Sequence, residues 1–117
     1  MPIRLKRVYE KADPEDGKRI LVERLWPRGL RKDDAKIDAW LKDVAPSTEL
    51  RKWYSHDPSK WVKFKERYYK ELDAKPEMIS GLTKECKEKT VTFVFASKEE
   101  KLNNASALKE YIERKFK

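Results

Sequence analysis

Arg24 and Arg28 stand four residues apart around the rigid Trp26-Pro27 step, in the run Arg24-Leu25-Trp26-Pro27-Arg28-Gly29. A guanidinium donates two parallel hydrogen bonds, a geometry matched to carboxylates and phosphates. The run follows Ile20-Leu21-Val22-Glu23-Arg24-Leu25, whose apolar content predicts a strand buried on both faces. In open α/β sheets ligands bind beyond the carboxyl ends of strands, so the turn is a candidate anion site. The competing reading pairs these Arg with Glu23, Asp38 or Asp43 as structural ion pairs, with Trp26 filling core.

A second strand, Thr90-Val91-Thr92-Phe93-Val94-Phe95, is β-branched and aromatic throughout and leads into Ser97-Lys98. If the two strands run parallel, Arg24, Arg28, Ser97 and Lys98 gather at one sheet edge. Asn103 and Asn104, at the start of the last helix, join them. Ser47 reads as a helix N-cap, and a helix start adds oriented N–H groups for the same ligand. Lys42 and Arg51 complete the cationic set. The expected ligand-binding residues are therefore Arg24, Trp26, Arg28, Lys42, Ser47, Arg51, Lys98 and Asn103.

His56, the single His, lies in Ser55-His56-Asp57-Pro58 at a helix junction. A junction His more often bonds a backbone carbonyl than catalyses, so His56 is a weak catalytic candidate, and whether the chain is an enzyme stays open. Cys86, the single Cys, reads as an inert buried thiol. One His and no Cys pair leave little from which to build a metal site, so neither metal nor cofactor is expected. No Walker loop, GxGxxG or GxSxG motif is present.

The elements that must position these residues are legible in outline. Ile3–Tyr9 alternates roughly apolar and basic and predicts a strand with one wet face. Asp13-Pro14-Glu15-Asp16-Gly17 is a turn. Arg31–Lys36 predicts a helical turn. Ile37–Val44 fits either strand or helix, and the extended reading is preferred. Helices are expected after Ser47, after Asp57-Pro58 with Trp61, Phe64, Tyr68 and Leu72 on one face, and after Pro76 with Ile79, Leu82 and Cys86 inward. A last helix carries Ala105, Leu108, Tyr111, Ile112 and Phe116 on one face. The expected fold is a single α/β domain over residues 1–117: a short mixed or parallel sheet of three to four strands covered by about five helices.

These residues resemble a known family. Glu23-Arg24-Leu25-Trp26-Pro27-Arg28-Gly29, Trp40-Leu41-Lys42-Asp43, Ala45-Pro46-Ser47, Leu50-Arg51-Lys52-Trp53, His56-Asp57-Pro58, Arg67-Tyr68, Ala96-Ser97-Lys98 and Asn103-Asn104-Ala105 look like the YeaO-like family of uncharacterised proteins, domain of unknown function 488. The likeness covers nearly the whole chain. It implies a small α/β domain and marks Arg24, Trp26, Arg28, Lys42, Ser47, Arg51, His56 and Asn103 as motif positions. It carries over no catalytic residue. Glu23 stands where the family pattern suggests Asp, and Asn104 where some relatives carry His.

The formal net charge is +8, with 43% charged residues in a 117-residue chain. An anionic small molecule is the first expected partner, and nucleic acid the second, with the interleaved Trp26, Trp40, Trp53 and Trp61 as stacking surfaces. The basic residues are dispersed among acidic ones, as on a solvated or thermophile-like surface, which favours the first. A ligand-free interaction domain anchored by Trp26 and Trp40 is a third reading. Lacking a leader-like or membrane-length apolar run, the chain is expected in the cytoplasm, and oligomeric state is not legible.

Overall fold

The structure, a computed structural model, describes residues 3–116. Strands β1 (Arg4–Arg7), β2 (Lys18–Leu21), β3 (Ala39–Trp40) and β4 (Val91–Phe95) form one parallel sheet in the order β1-β4-β2-β3. The expected α/β class is thus realised with every strand pair parallel. Helices α1 (Lys32–Ala35), α2 (Thr48–Tyr54), α3 (Trp61–Asp73), α4 (Pro76–Glu88) and α5 (Asn104–Arg114) connect and cover it. No helix among the described residues is long and apolar enough to cross a membrane.

The sheet's two faces follow from the two-residue period of its side chains. Ile20, Val22, Phe93 and Phe95 face the layer formed by α2 to α5 and join Leu50, Phe64, Tyr68, Leu72, Ile79, Leu82, Leu108 and Ile112 in the main core. Leu21 and Val94 face the other way and pack with Val8, Ala35, Trp26 and Trp40 in a smaller cluster. All five residues of β4 are buried, as a central parallel strand requires.

At the amino end of the sheet a buried ion pair organises the β1–β2 turn. The Arg19 guanidinium donates to Asp16 at 2.7 Å and to the Ala35 and Lys36 carbonyls at 3.0 Å each. Lys6 and the Asp13 N–H also donate to the Asp16 carboxylate. Gly17 lies at φ 65°, and a Cβ there would stand 2.3 Å from the Thr90 carbonyl oxygen, so only glycine fits.

Two expected elements differ in detail. The strand expected to continue to Leu25 has its last sheet bond from the Val22 N–H to Val94, and Leu25 is 71% exposed. The ambiguous stretch 37–44 is extended only at Ala39–Trp40, then turns as a 3-10 helix at Lys42–Val44. Trp40 Nε1 donates to the Glu23 carbonyl at 2.6 Å, which pins this short strand beside the end of β2.

Candidate functional site

The carboxyl ends of β2 and β4 release the chain at neighbouring points, because Leu21 pairs with Val94. α2 and the start of α5 rise on either side. Between them lies a cleft of about 520 Å³, within the range of small-molecule sites. Its floor is apolar: Tyr54 and Phe64 stack with ring centroids 4.4 Å apart, and the Tyr54 hydroxyl donates to the Leu102 carbonyl at 2.8 Å.

Glu23 forms the inner end. It is 5% exposed, and its Oε2 accepts the Ala96 N–H at 3.0 Å. Burial pushes its carboxyl above the usual range, opposed by the Ala96 bond and by the nearby positive charge of Arg51 and His56. Asn104 lies beside it, with Nδ2 donating to the Val22 carbonyl at 2.8 Å. Asn103 also borders the cleft, but its amide is engaged as the N-cap of α5. Its Oδ1 accepts the Ser106 N–H at 2.9 Å, and Nδ2 donates to the Glu99 carbonyl at 2.7 Å.

Cations form the mouth. Arg51 and Lys52 project from α2 into the rim, and neither side chain makes a hydrogen bond or ion pair with a described residue. His56 lies on the same rim because α2 ends in two successive left-handed residues, Ser55 at φ 45° and His56 at φ 56°. Such conformations cost free energy in non-glycine residues, and here they turn the chain sharply into the Asp57 cap. The exposed Leu25 overhangs the opposite lip.

Of the residues expected from sequence, the cleft brings together Arg51, Asn103, the weak catalytic candidate His56, and Ser97 and Asn104 of the expected sheet-edge group. The others lie outside its lining. Arg24 donates Nε to the Pro46 carbonyl at 3.1 Å and Nη2 to the Ala45 carbonyl at 2.9 Å, so it clamps the loop before α2 and makes none of the weighed carboxylate pairs. Ser47 caps α2, accepting the Leu50 N–H at 3.2 Å, and its hydroxyl and N–H both donate to Glu71. Trp26 and Trp40 meet edge-on at 5.3 Å, and Trp26 Nε1 donates to the Leu30 carbonyl. Lys42 covers the Trp40 ring at 4.2 Å. Arg28 and Lys98 are exposed, and neither side chain pairs with a described residue.

Sequence reasoning assigned no ligand role to Glu23, treating it as an ion-pair partner for Arg. The signal available was a carboxylate placed where an apolar strand ends. Thr48, Lys52 and Tyr54 were also missed, because their approach depends on how α2 docks.

Among the described residues no group of three or more His, Cys, Asp or Glu gathers to hold a metal ion. Cys86 is buried in the core, and burial pushes its thiol up to about 12.

Comparison with known proteins decides the relationship. The family described as "Inactive DUF488-N3 subclade" matches residues 2–117. The chain belongs to this family. It is similar to the uncharacterised protein YeaO of Escherichia coli (strain K12), with 38% identity over 112 residues, 96% of this chain and 97% of that one. It is also similar to uncharacterised proteins of Mycobacterium tuberculosis and Mycobacterium bovis, with 56% identity over 70 residues. That match spans 60% of this chain and 59% of the length of those mycobacterial relatives. No solved structure matches it. The DUF488-N3 assignment agrees with the sequence resemblance.

Proposed function

We propose that the cleft binds a small anionic molecule and that the protein acts by holding it rather than by turning it over. The observation that carries this reading is Arg51: its guanidinium stands at the mouth of a built cleft with no carboxylate bound to it among the described residues. A guanidinium with no hydrogen-bonded acceptor among the described residues, on an apolar-floored cleft, is suited to a carboxylate or phosphate, with Lys52 adding positive field. The anion is thereby assigned to Arg51 rather than to Arg24, whose fork is occupied, or Arg28, which lies outside the cleft. The subclade's description as inactive supports the absence of turnover.

Thermal melts with phosphate, phosphate monoesters and small carboxylates test the reading, with ionic strength matched by chloride because screening alone shifts a protein of this charge. A ligand at a hundredfold its Kd adds about 2.7 kcal/mol, roughly 10 °C for a domain of this size. Arg51→Ala should lose this response and Arg28→Ala should keep it. An equal response in parent and Arg51→Ala would place the anion elsewhere.

A further inference from the structure

We infer that the ligand of this cleft carries, at the end opposite its anionic group, a hydrogen-bond donor (an amine or a hydroxyl) that is received by Glu23 and Asn104; this rests on the anion-binding reading above.

The two ends of the cleft differ in chemical sense. Glu23 is 5% exposed, yet of its two carboxylate oxygens only Oε2 receives a donor from the described residues, the Ala96 N–H at 3.0 Å. Among the described residues no fully buried side-chain oxygen or nitrogen lacks a partner. Oε1 therefore opens into the cleft that Glu23 lines. The other deeply buried carboxylate among the described residues, Asp16, shows what a purely structural acid has here: donors from Arg19, Lys6 and the Asp13 N–H.

Asn104 extends the same surface. Its Nδ2 donates to the Val22 carbonyl at 2.8 Å, so the amide orientation is set and Oδ1 is the atom left to accept. The Val22 carbonyl belongs to the peptide bond joining Val22 to Glu23, and Asn104 and Glu23 line the same cleft. The inner end thus offers Glu23 Oε1 and Asn104 Oδ1 as acceptors against one remaining Asn104 N–H, and acceptors bind donors. An ionised Glu23 repels an anion, so the anionic group belongs at the Arg51 end and the molecule spans the cleft with its donor inward. A hydrogen bond to a buried charged acceptor discriminates strongly, because a ligand without the donor leaves that acceptor unpaired.

Calorimetric titration of the full chain with matched pairs tests this. The pairs are O-phosphoethanolamine against ethyl phosphate, sn-glycerol 3-phosphate against propyl phosphate, and β-alanine against propionate. At least one donor-bearing member should bind about tenfold tighter than its partner, and the pair that responds tells amine from hydroxyl. Glu23→Gln keeps an oxygen for the Ala96 N–H but turns an NH₂ toward the cleft, so the preference should fall to within about twofold. Should that variant not fold, the comparison in the parent protein still decides. Equal affinity across every pair overturns the inference and leaves the anion site standing. Failure of all six compounds to bind removes the anion site, and the inference falls with it.

Discussion

Glu23 and Asp16 are both buried carboxylates, and their surroundings push them in opposite directions. Burial raises the Glu23 carboxyl above 4.5, against the Ala96 bond and the charges of Arg51 and His56. Its contribution to stability is therefore fully present below the unfolded value and is lost as pH rises through the folded one. At neutral pH the ionised group weakens the fold. Glu23→Gln should accordingly melt higher than the parent at pH 7, with the gap closing as pH falls to about 4. A variant less stable than the parent at pH 7 would mean that Glu23 is a structural acid. For Asp16, burial pushes up, but the Asp13 N–H and the Arg19 and Lys6 side chains outweigh it and hold the carboxyl below 3.8. Its contribution is present above the unfolded value and is lost as pH falls through the lowered folded one. Asp16→Ala strands Arg19, whose side chain is 5% exposed, and should cost about 3–5 kcal/mol in denaturant melts. Residue chemistry was partly legible. The Arg content of the 24–28 turn was plain, but which Arg has free donors was not, because Arg24 finds its acceptors at Ala45 and Pro46, 21 and 22 residues away. Arg24→Ala should cost about 2 kcal/mol for two charge-assisted bonds, while an anion still raises the melt of the variant as it does that of the parent.

Caps and turns decide how α2 meets the sheet, and α2 supplies the cationic wall. Ser47 serves α2 and α3 together: its hydroxyl accepts the Leu50 N–H and donates to Glu71 of α3 at 2.6 Å. Ser47→Ala should lower stability by about 1–2 kcal/mol and weaken anion binding through displacement of Arg51, both read from one ligand titration followed by melting. Unchanged affinity alongside lost stability would show that α2 holds its place without this contact. The caps at Ser47 and Asp57 were readable because each rests on local chemistry: the side chain accepts an N–H two or three residues ahead; Asn103, expected as a ligand contact, caps α5 in the same way. The end of β2 was not. The Ile20–Leu25 run is apolar at four of six positions, yet pairing with β4 stops at Val22, and no local signal says how long a neighbouring strand is. At 37–44 both sequence readings captured part of the outcome. Trp40 needs an extended backbone to pair Leu21, and Val44 needs the following turn to reach the core.

Over the whole molecule, the crossover pattern sets where chemistry can occur. Sheet order β1-β4-β2-β3 puts β4 between the first two strands, so the loops leaving β2 and β4 frame a common opening at the carboxyl edge. Parallel packing was inferable from two buried strands separated by helices. The strand order was not, since it depends on which core faces fit. The net charge of +8 is dispersed, since many cations are neutralised in ion pairs such as Lys18–Glu85 and Lys65–Glu110. The Trp rings do not form an open stacking row: Trp53 lies under Lys60 and Arg67, and Trp26 packs on Trp40. Oligonucleotides should therefore bind only at low salt and release by about 0.15 M, as a fluorescence titration would show. Tight, sequence-selective binding at that salt would favour the nucleic-acid reading instead. The most direct test of the central claim is an amide ¹H–¹⁵N titration of the labelled protein with the phosphate monoesters and small carboxylates at constant ionic strength. The cleft account predicts saturable shifts at Thr48, Arg51, Ala96, Ser97 and Asn104, with Arg28, Lys42 and Lys98 unmoved. Saturable shifts confined instead to Arg28 and Lys98, or to the separate hollow bordered by Ile79, Lys84 and Tyr111, would contradict it.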